Sequence, residues 1–197
     1  VFDISFLRPI PNLTIIAPKD EGELEKALDF GINFNGPVAI RYPRGPGIGE
    51  SKVSSEFTTR SEILKEGYDI AIFAVGPIVY TCLQAAHMLK NKISVAVVNA
   101  RFIKPLDQDT IFKLANKVRL VVTVEEHVIA GGYGSAVQEI INNAEISSPV
   151  LQIGIPDAFV SQGQVNLLRE KLGLTPYDIS NTIYQYWQRM QRKKAAK

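Results

Sequence analysis

The chain has 197 residues, 46% apolar and 21% charged, which suits one large domain or two small ones with a real core and excludes a largely disordered chain. Its 22 basic and 20 acidic residues leave a net charge of +2, without the strongly basic balance of a general nucleic-acid binder. A single cysteine, Cys82, excludes an intrachain disulfide and points to a reducing compartment, and no apolar run approaches the roughly 18 residues of a membrane span.

In chain order, "VFDISFLRPIPN" opens abruptly and without methionine, as if cut from something longer. "LTIIAP" (13–18) is a short apolar run closed by proline and reads as a buried strand. "KDEGELEKALDFGINF" (19–34) has acidic residues in its first turn and Leu24, Leu28 and Ile32 at helical spacing. "PVAIRYP" (37–43) is a second buried strand, so the segment is a βαβ unit with parallel pairing. Two strands do not make an independent sheet, so residues 1–49 read as the tail of a larger α/β domain. Residues 50–66 are polar, rich in Ser, Thr and Glu, and read as a linker.

The alternation restarts in residues 67–197. "DIAIFAVG" (69–76) is a strand, followed by a helix entered at Pro77 with Val79, Leu83 and Ala86 on one face and Cys82 in its core. "ISVAVVNA" (93–100), "RLVVTVEE" (119–126) and "PVLQIGI" (149–155) are strands. Between and after them lie helices over 106–117, over 131–144 with Ala136, Val137, Ile140, Ile141 and Ala144 facing inward, and over 164–173 closed by Gly173. A last amphipathic helix carries Ile179, Ile183, Trp187 and Met190. Its basic tail, "QRMQRKKAAK", reads as a solvated helix end. Four strands alternating with helices predict an open, mostly parallel sheet.

Four features bear on chemistry. Gly131, Gly132 and Gly134 lie between a strand and a helix, where phosphates bind, yet match neither G-x-G-x-x-G nor the Walker spacing, so tight strand–helix packing is the rival reading. Glu125 and Glu126 end a strand and suit helix capping or an interface. His127 follows them with no second His or Cys nearby, which gives a metal site little support, and His87 is mid-helix and reads as structural or exposed. No nucleophile–base spacing is visible. In "AIRYPRGPG" Pro43 and Gly45 favour a turn that swings Arg44 off the strand at the ligand edge of the sheet. Its planar fork matches a phosphate or carboxylate, with a structural salt bridge as the alternative.

Together "FDISFLRPIPNLTIIAPKDEGELEKAL", "NGPVAIRYPRG", "NARFIKPLD", "VTVEEHVIAGGYGSAVQE" and "IGIPDAFVSQG" resemble the 1-deoxy-D-xylulose-5-phosphate synthase family, within the transketolase superfamily. The resemblance implies the end of a pyrimidine-binding α/β domain (1–49), a linker (50–66) and a whole C-terminal transketolase-like domain (67–197). It implies a homodimer that is cytoplasmic in bacteria or plastid-located in eukaryotes. It also implies an enzyme that uses thiamine diphosphate and magnesium to join pyruvate to D-glyceraldehyde 3-phosphate with loss of carbon dioxide, feeding isoprenoid, thiamine and pyridoxal synthesis. The family's catalytic histidine, activating glutamate and Gly-Asp-Gly metal motif lie upstream of the part matched here. This segment alone is therefore expected to be inactive and to bind no cofactor, with no catalytic, cofactor-binding or metal-binding residue. One role carries over: the family's substrate-phosphate arginine corresponds to the second arginine of "RYPRG", Arg44, with Arg41 left as structural or supporting. A beta-type subunit of a 2-oxo-acid dehydrogenase and a non-enzymatic dimerisation module are the rival readings.

Overall fold

The computed structural model describes residues 1–45, 47–49 and 57–195. Its elements, in order, are α1 (Asp3–Leu7), β1 (Thr14–Ile16), α2 (Glu21–Asn33), β2 (Val38–Ile40), β3 (Glu62–Lys65), β4 (Ile70–Ala74), α3 (Ile78–Leu89), β5 (Val95–Asn99), β6 (Phe102–Lys104), α4 (Gln108–Ala115), β7 (Leu120–Val128), α5 (Tyr133–Asn143), β8 (Val150–Ile155), α6 (Val165–Lys171) and α7 (Pro176–Ala195).

The apolar runs make the centre of a five-stranded sheet ordered β3-β5-β4-β7-β8. β4, β5, β7 and β8 pair in parallel, and β3 closes one edge antiparallel to β5. Because alternate residues of a strand face opposite sides, each run feeds two cores. Ile70, Ile72, Val95 and Val97 face α3 and α7, packing against Val79, Cys82, Ile179, Ile183 and Trp187. Ala71, Phe73, Ala96 and Val98 face the other way, toward Ile111, Tyr133, Val137 and Ile4. Helices on both faces of a mostly parallel sheet are the doubly wound arrangement that the alternation predicts. Gly173, at φ +69, closes α6 in the left-handed region that glycine enters without a steric cost.

The polar stretch read as a linker differs in its second half. Residues 62–65 form β3, a half-buried edge strand in which Glu62 and Lys65 flank Ile63 and Leu64, whose side chains pack on opposite faces of the sheet. Residues 50–56 lie outside the described residues. The apolar stripe expected on α2 is also turned around. Leu28 is 48% and Ile32 81% exposed, while Glu23 and Ala27 are buried. The reason is electrostatic: Glu23 is drawn inward by buried cations, and that orientation sends Leu28 and Ile32 outward.

Three strands, not two, form the smaller sheet, ordered β2-β1-β6. β1 and β2 are parallel, and β6 joins β1 antiparallel after a turn at Arg101. Arg101 sits at φ 54, a left-handed conformation that costs a non-glycine residue about 1–2 kcal/mol. It is held there by its side chain. Its Nε donates to Glu23 Oε1 at 2.8 Å and its Nη2 to Glu62 Oε2 at 3.4 Å. Glu23 Oε1 also accepts from Asn99 Nδ2 at 2.8 Å and from Lys19 Nζ at 3.2 Å. Burial works against the charged form of Lys19, and Glu23, Glu62 and Asp20 outweigh it, holding its pKa above the ordinary value. This buried network welds the small sheet to the large one, while Lys104 Nζ, donating to the Arg8 and Ile10 carbonyls, ties β6 to the loop before β1.

Candidate functional site

The C-terminal ends of β1 and β2, parallel strands of the small sheet, and of β4 in the large sheet meet at one cleft of about 690 Å³. Pro18, Lys19 and Asp20 follow β1, Tyr42, Pro43, Arg44 and Gly45 follow β2, and Pro77 follows β4. Gln164, Val165, Asn166 and Arg169 of the α6 region form the facing wall. This is the edge at which open α/β sheets hold ligands.

The cleft has three cations among its described lining residues, and two of them are engaged. Lys19 pairs with Asp20, Glu23 and Glu62. Arg169 grips Glu126 with both arms of its guanidinium, at 2.7 and 2.9 Å. Hydrogen bonding to Glu126 raises the Arg169 pKa, so its charge is fixed. Arg44 is exposed and has no ion pair or hydrogen bond among the described residues. Among the described residues the cleft thus offers one uncommitted guanidinium. Glu21 also lines it, and its Oε1 accepts from Gly49 N at 3.2 Å, which ties the Arg44 loop to the first turn of α2.

Arg41 points elsewhere. Its Nε donates to Asp3 Oδ2 at 2.6 Å and its Nη2 to the Glu126 carbonyl at 2.7 Å. Burial disfavours ionisation of Asp3, and Arg41 overrides it, holding that carboxyl below its usual range.

The three residues at the end of β7 each hold a different element. Glu125, 1% exposed, accepts from Tyr133 N and Gly134 N at 2.8 Å each, so a carboxylate of the chain itself occupies the N-terminus of α5. The 131–134 glycines serve close packing there: a Cβ on Gly134 would collide with Thr123 Oγ1, and the Gly131 and Gly132 carbonyls accept from Arg8 at 2.9 Å. Burial pushes the Glu125 carboxyl up to about 7, against the pull of its two N–H donors. Glu126 holds Arg169 and Arg41. His127 is fully buried, and its Nε2 accepts from Ile4 N at 3.0 Å, capping α1. Its Nδ1 lies 2.7 Å from the Val128 carbonyl, which fixes a neutral ring with the proton on Nδ1. His87 is exposed, and Cys82 is buried with its thiol pKa pushed well above the ordinary value by burial.

Burial lowers the His127 pKa below its ordinary 6.5. Between the two values the unfolded chain binds the extra proton, so stability falls as pH drops through that window. Glu125 acts oppositely: its contribution is fully present below 4.5 and is lost as pH rises through about 7. His127→Gln keeps an acceptor for α1 and removes the first effect. Urea unfolding at pH 7.5 and 5.5 should show the wild type losing stability relative to the variant by up to roughly 1.4 kcal/mol per pH unit. Equal pH dependence in the two proteins would exclude a neutral buried ring.

Comparison with known proteins fits this architecture. The family model described as the C-terminal domain of transketolase matches residues 59–179.

The chain belongs to the transketolase C-terminal domain family.

A second model, the pyrimidine binding domain of transketolase, matches residues 1–47, which carry α1, β1, α2, β2 and Arg44. Among curated relatives, the 1-deoxy-D-xylulose-5-phosphate synthase of Caldanaerobacter subterraneus subsp. tengcongensis is 47% identical over 96% of this chain and 31% of its own length. That of Heliobacterium modesticaldum is 46% identical over 91% of this chain and 28% of its own length. The chain thus spans about a third of the relatives it matches. Among solved structures, a split-gene transketolase described as an inactive β4 tetramer superposes with a TM-score of 0.84 at 33% identity, over 93% of this chain and 60% of that one. Transketolase from Leishmania mexicana, at 21% identity and a TM-score of 0.72 over 94% of this chain and 27% of its own, shares the fold.

Sequence reasoning located Arg44 but not the facing wall of its cleft. Arg169 carries no motif, and only its place in the last turn of a short helix hinted at an electrostatic role.

Proposed function

We propose that this chain is the C-terminal portion of a thiamine-diphosphate-dependent synthase that condenses pyruvate with D-glyceraldehyde 3-phosphate to 1-deoxy-D-xylulose 5-phosphate and carbon dioxide. The identity of 42–47% to curated synthases of that name carries the reading. The cleft supports it: a guanidinium without a partner among the described residues suits the acceptor's phosphate, which it would grip in a bidentate way while orienting the aldehyde. The same reading makes the protein a cytoplasmic homodimer in bacteria; no described helix is long and apolar enough to cross a membrane.

Thiamine diphosphate and magnesium are part of the proposal, but the described residues do not fit a metal-diphosphate site. Among them no three His, Cys, Asp or Glu side chains converge as a metal-holding group, and the one glycine-rich helix start is filled by Glu125. In this reading the residues of this chain bind and orient the acceptor.

The full-length protein carrying this chain, given thiamine diphosphate, magnesium and pyruvate, should form 1-deoxy-D-xylulose 5-phosphate from glyceraldehyde 3-phosphate. Transfer to a lipoyl acceptor in place of the sugar phosphate would establish the 2-oxo-acid dehydrogenase reading instead.

A further inference from the structure

The wall that faces Arg44 is thinly anchored. From residue 156 to residue 171 no side chain is buried, and α6 itself buries nothing. The apolar contacts of this segment lie at its start, where Val160 packs on the edge of the core and Phe159 meets the Phe2 ring edge-on, and none of the buried residues lies in α6 itself. α6 is joined to the end of β7 by Arg169, whose two-armed pair with Glu126 is only about one-quarter exposed on each side. The opposite wall reaches the same residue. Arg41, three positions before Arg44, donates to the Glu126 carbonyl while its Nε binds Asp3. One residue at the end of β7 therefore holds both sides of the cleft, the α6 wall by its carboxylate and the β2 loop by its main chain.

We propose that Glu126 is a positioning residue for the phosphate clamp. It sets the distance between Arg44 and the Gln164–Asn166 wall and keeps the Arg169 charge out of the space meant for the ligand. The proposal rests on the reading of Arg44 as a phosphate receptor. The contact is bidentate and planar, so it fixes the angle of α6 as well as its distance. Glutamine in place of Glu126 retains the shape but loses the charge and one acceptor. Lysine in place of Arg169 retains the charge but loses the second arm.

The test uses the full-length protein with phosphorylated and unphosphorylated aldehyde acceptors. Glu126→Gln and Arg169→Gln should each raise KM for the phosphorylated acceptor by roughly three- to thirtyfold, the range by which a tether removed from the ligand shifts a site. The Glu126→Gln/Arg169→Gln double variant should be no worse than either single one, because one tether is lost in all three. Arg169→Lys should recover part of the loss. Hydrogen exchange in residues 156–171 should rise in the Gln variants and nowhere else, which reads the tether independently of turnover. An unchanged KM, additive effects, or equal damage to both acceptors would overturn the proposal. Arg44→Ala separates the two levels. If it leaves KM for the phosphorylated acceptor unchanged, the phosphate reading itself fails; if it raises KM while Glu126→Gln does not, only the positioning role falls.

Discussion

Arg44→Ala in the full-length protein should weaken use of D-glyceraldehyde 3-phosphate ten- to a hundredfold in kcat/KM. A charge-assisted hydrogen-bonded contact is worth about 1.5–3 kcal/mol, and each 1.4 kcal/mol is about a factor of ten. The structural basis is the asymmetry among the cleft's cations. Lys19 and Arg169 are saturated by carboxylates, so neither can replace Arg44 without first breaking a pair. An unphosphorylated aldehyde offers nothing for Arg44 to hold, so its turnover should move by less than about threefold, within 0.65 kcal/mol. Stability should be unchanged within about 0.5 kcal/mol, since Arg44 is exposed and has no partner among the described residues. Steady-state kinetics with both acceptors decides the matter: equal loss on both would make Arg44 a support of the loop. Arg41→Ala is the matched control. It removes the Asp3 and Glu126 contacts, so its first effect is on stability.

The largest effect on folding is expected at Glu23. This carboxylate has no solvent exposure and accepts from Lys19 N, Lys19 Nζ, Asn99 Nδ2 and Arg101 Nε. Glu23→Ala leaves two buried cations facing a reduced set of acceptors. Breaking a buried charged pair from one side costs about 3–5 kcal/mol, a large share of the 5–15 kcal/mol typical of a domain. Urea unfolding should show a loss in that range, against less than about 0.5 kcal/mol for Glu66→Ala on the surface. A loss below about 1 kcal/mol would mean that Glu62 and Asp20 suffice to hold both cations.

What could be seen in the sequence follows from what makes each element stable. β4, β5 and the first half of β7 are buried on both faces, so they appear as near-continuous apolar runs; β8, at the sheet edge and only partly buried, still keeps enough apolar residues to be read, and the helices between them carry clear apolar periods. β6 and α1 have three and five residues and no such signature. α1 exists because His127, more than 120 residues away, accepts from its first turn, while Ser5 Oγ binds the Ala130 carbonyl and Arg8 the 131–132 carbonyls. Nothing local announces it. α2 misled for the opposite reason: a glutamate on a helix reads as the wet face, and only the position of Arg101 makes Glu23 the inner one. At the site, the turn that releases Arg44 from β2 is local chemistry and could be read. The wall supplied by α6 could not, because it depends on a pair between residues 126 and 169.

β6 has a consequence for how this protein can be recombined. Sequence draws its seam over residues 50–66, and a gene crossover there looks like a clean exchange of modules. The hydrogen bonding does not respect that seam. Ile15 and Ile16 pair with Lys104 and Phe102, and Ala17 N donates to the Arg101 carbonyl. Phe102 also fills the apolar space beneath α2, against Phe30 and Phe57. A chimera that keeps residues 1–49 and takes the remainder from another protein loses the β6 partner of β1 unless the donor brings a matching Asn-Ala-Arg-Phe-Ile-Lys stretch. The heritable unit is therefore the first segment together with residues 99–104, and productive crossovers should lie outside that pair.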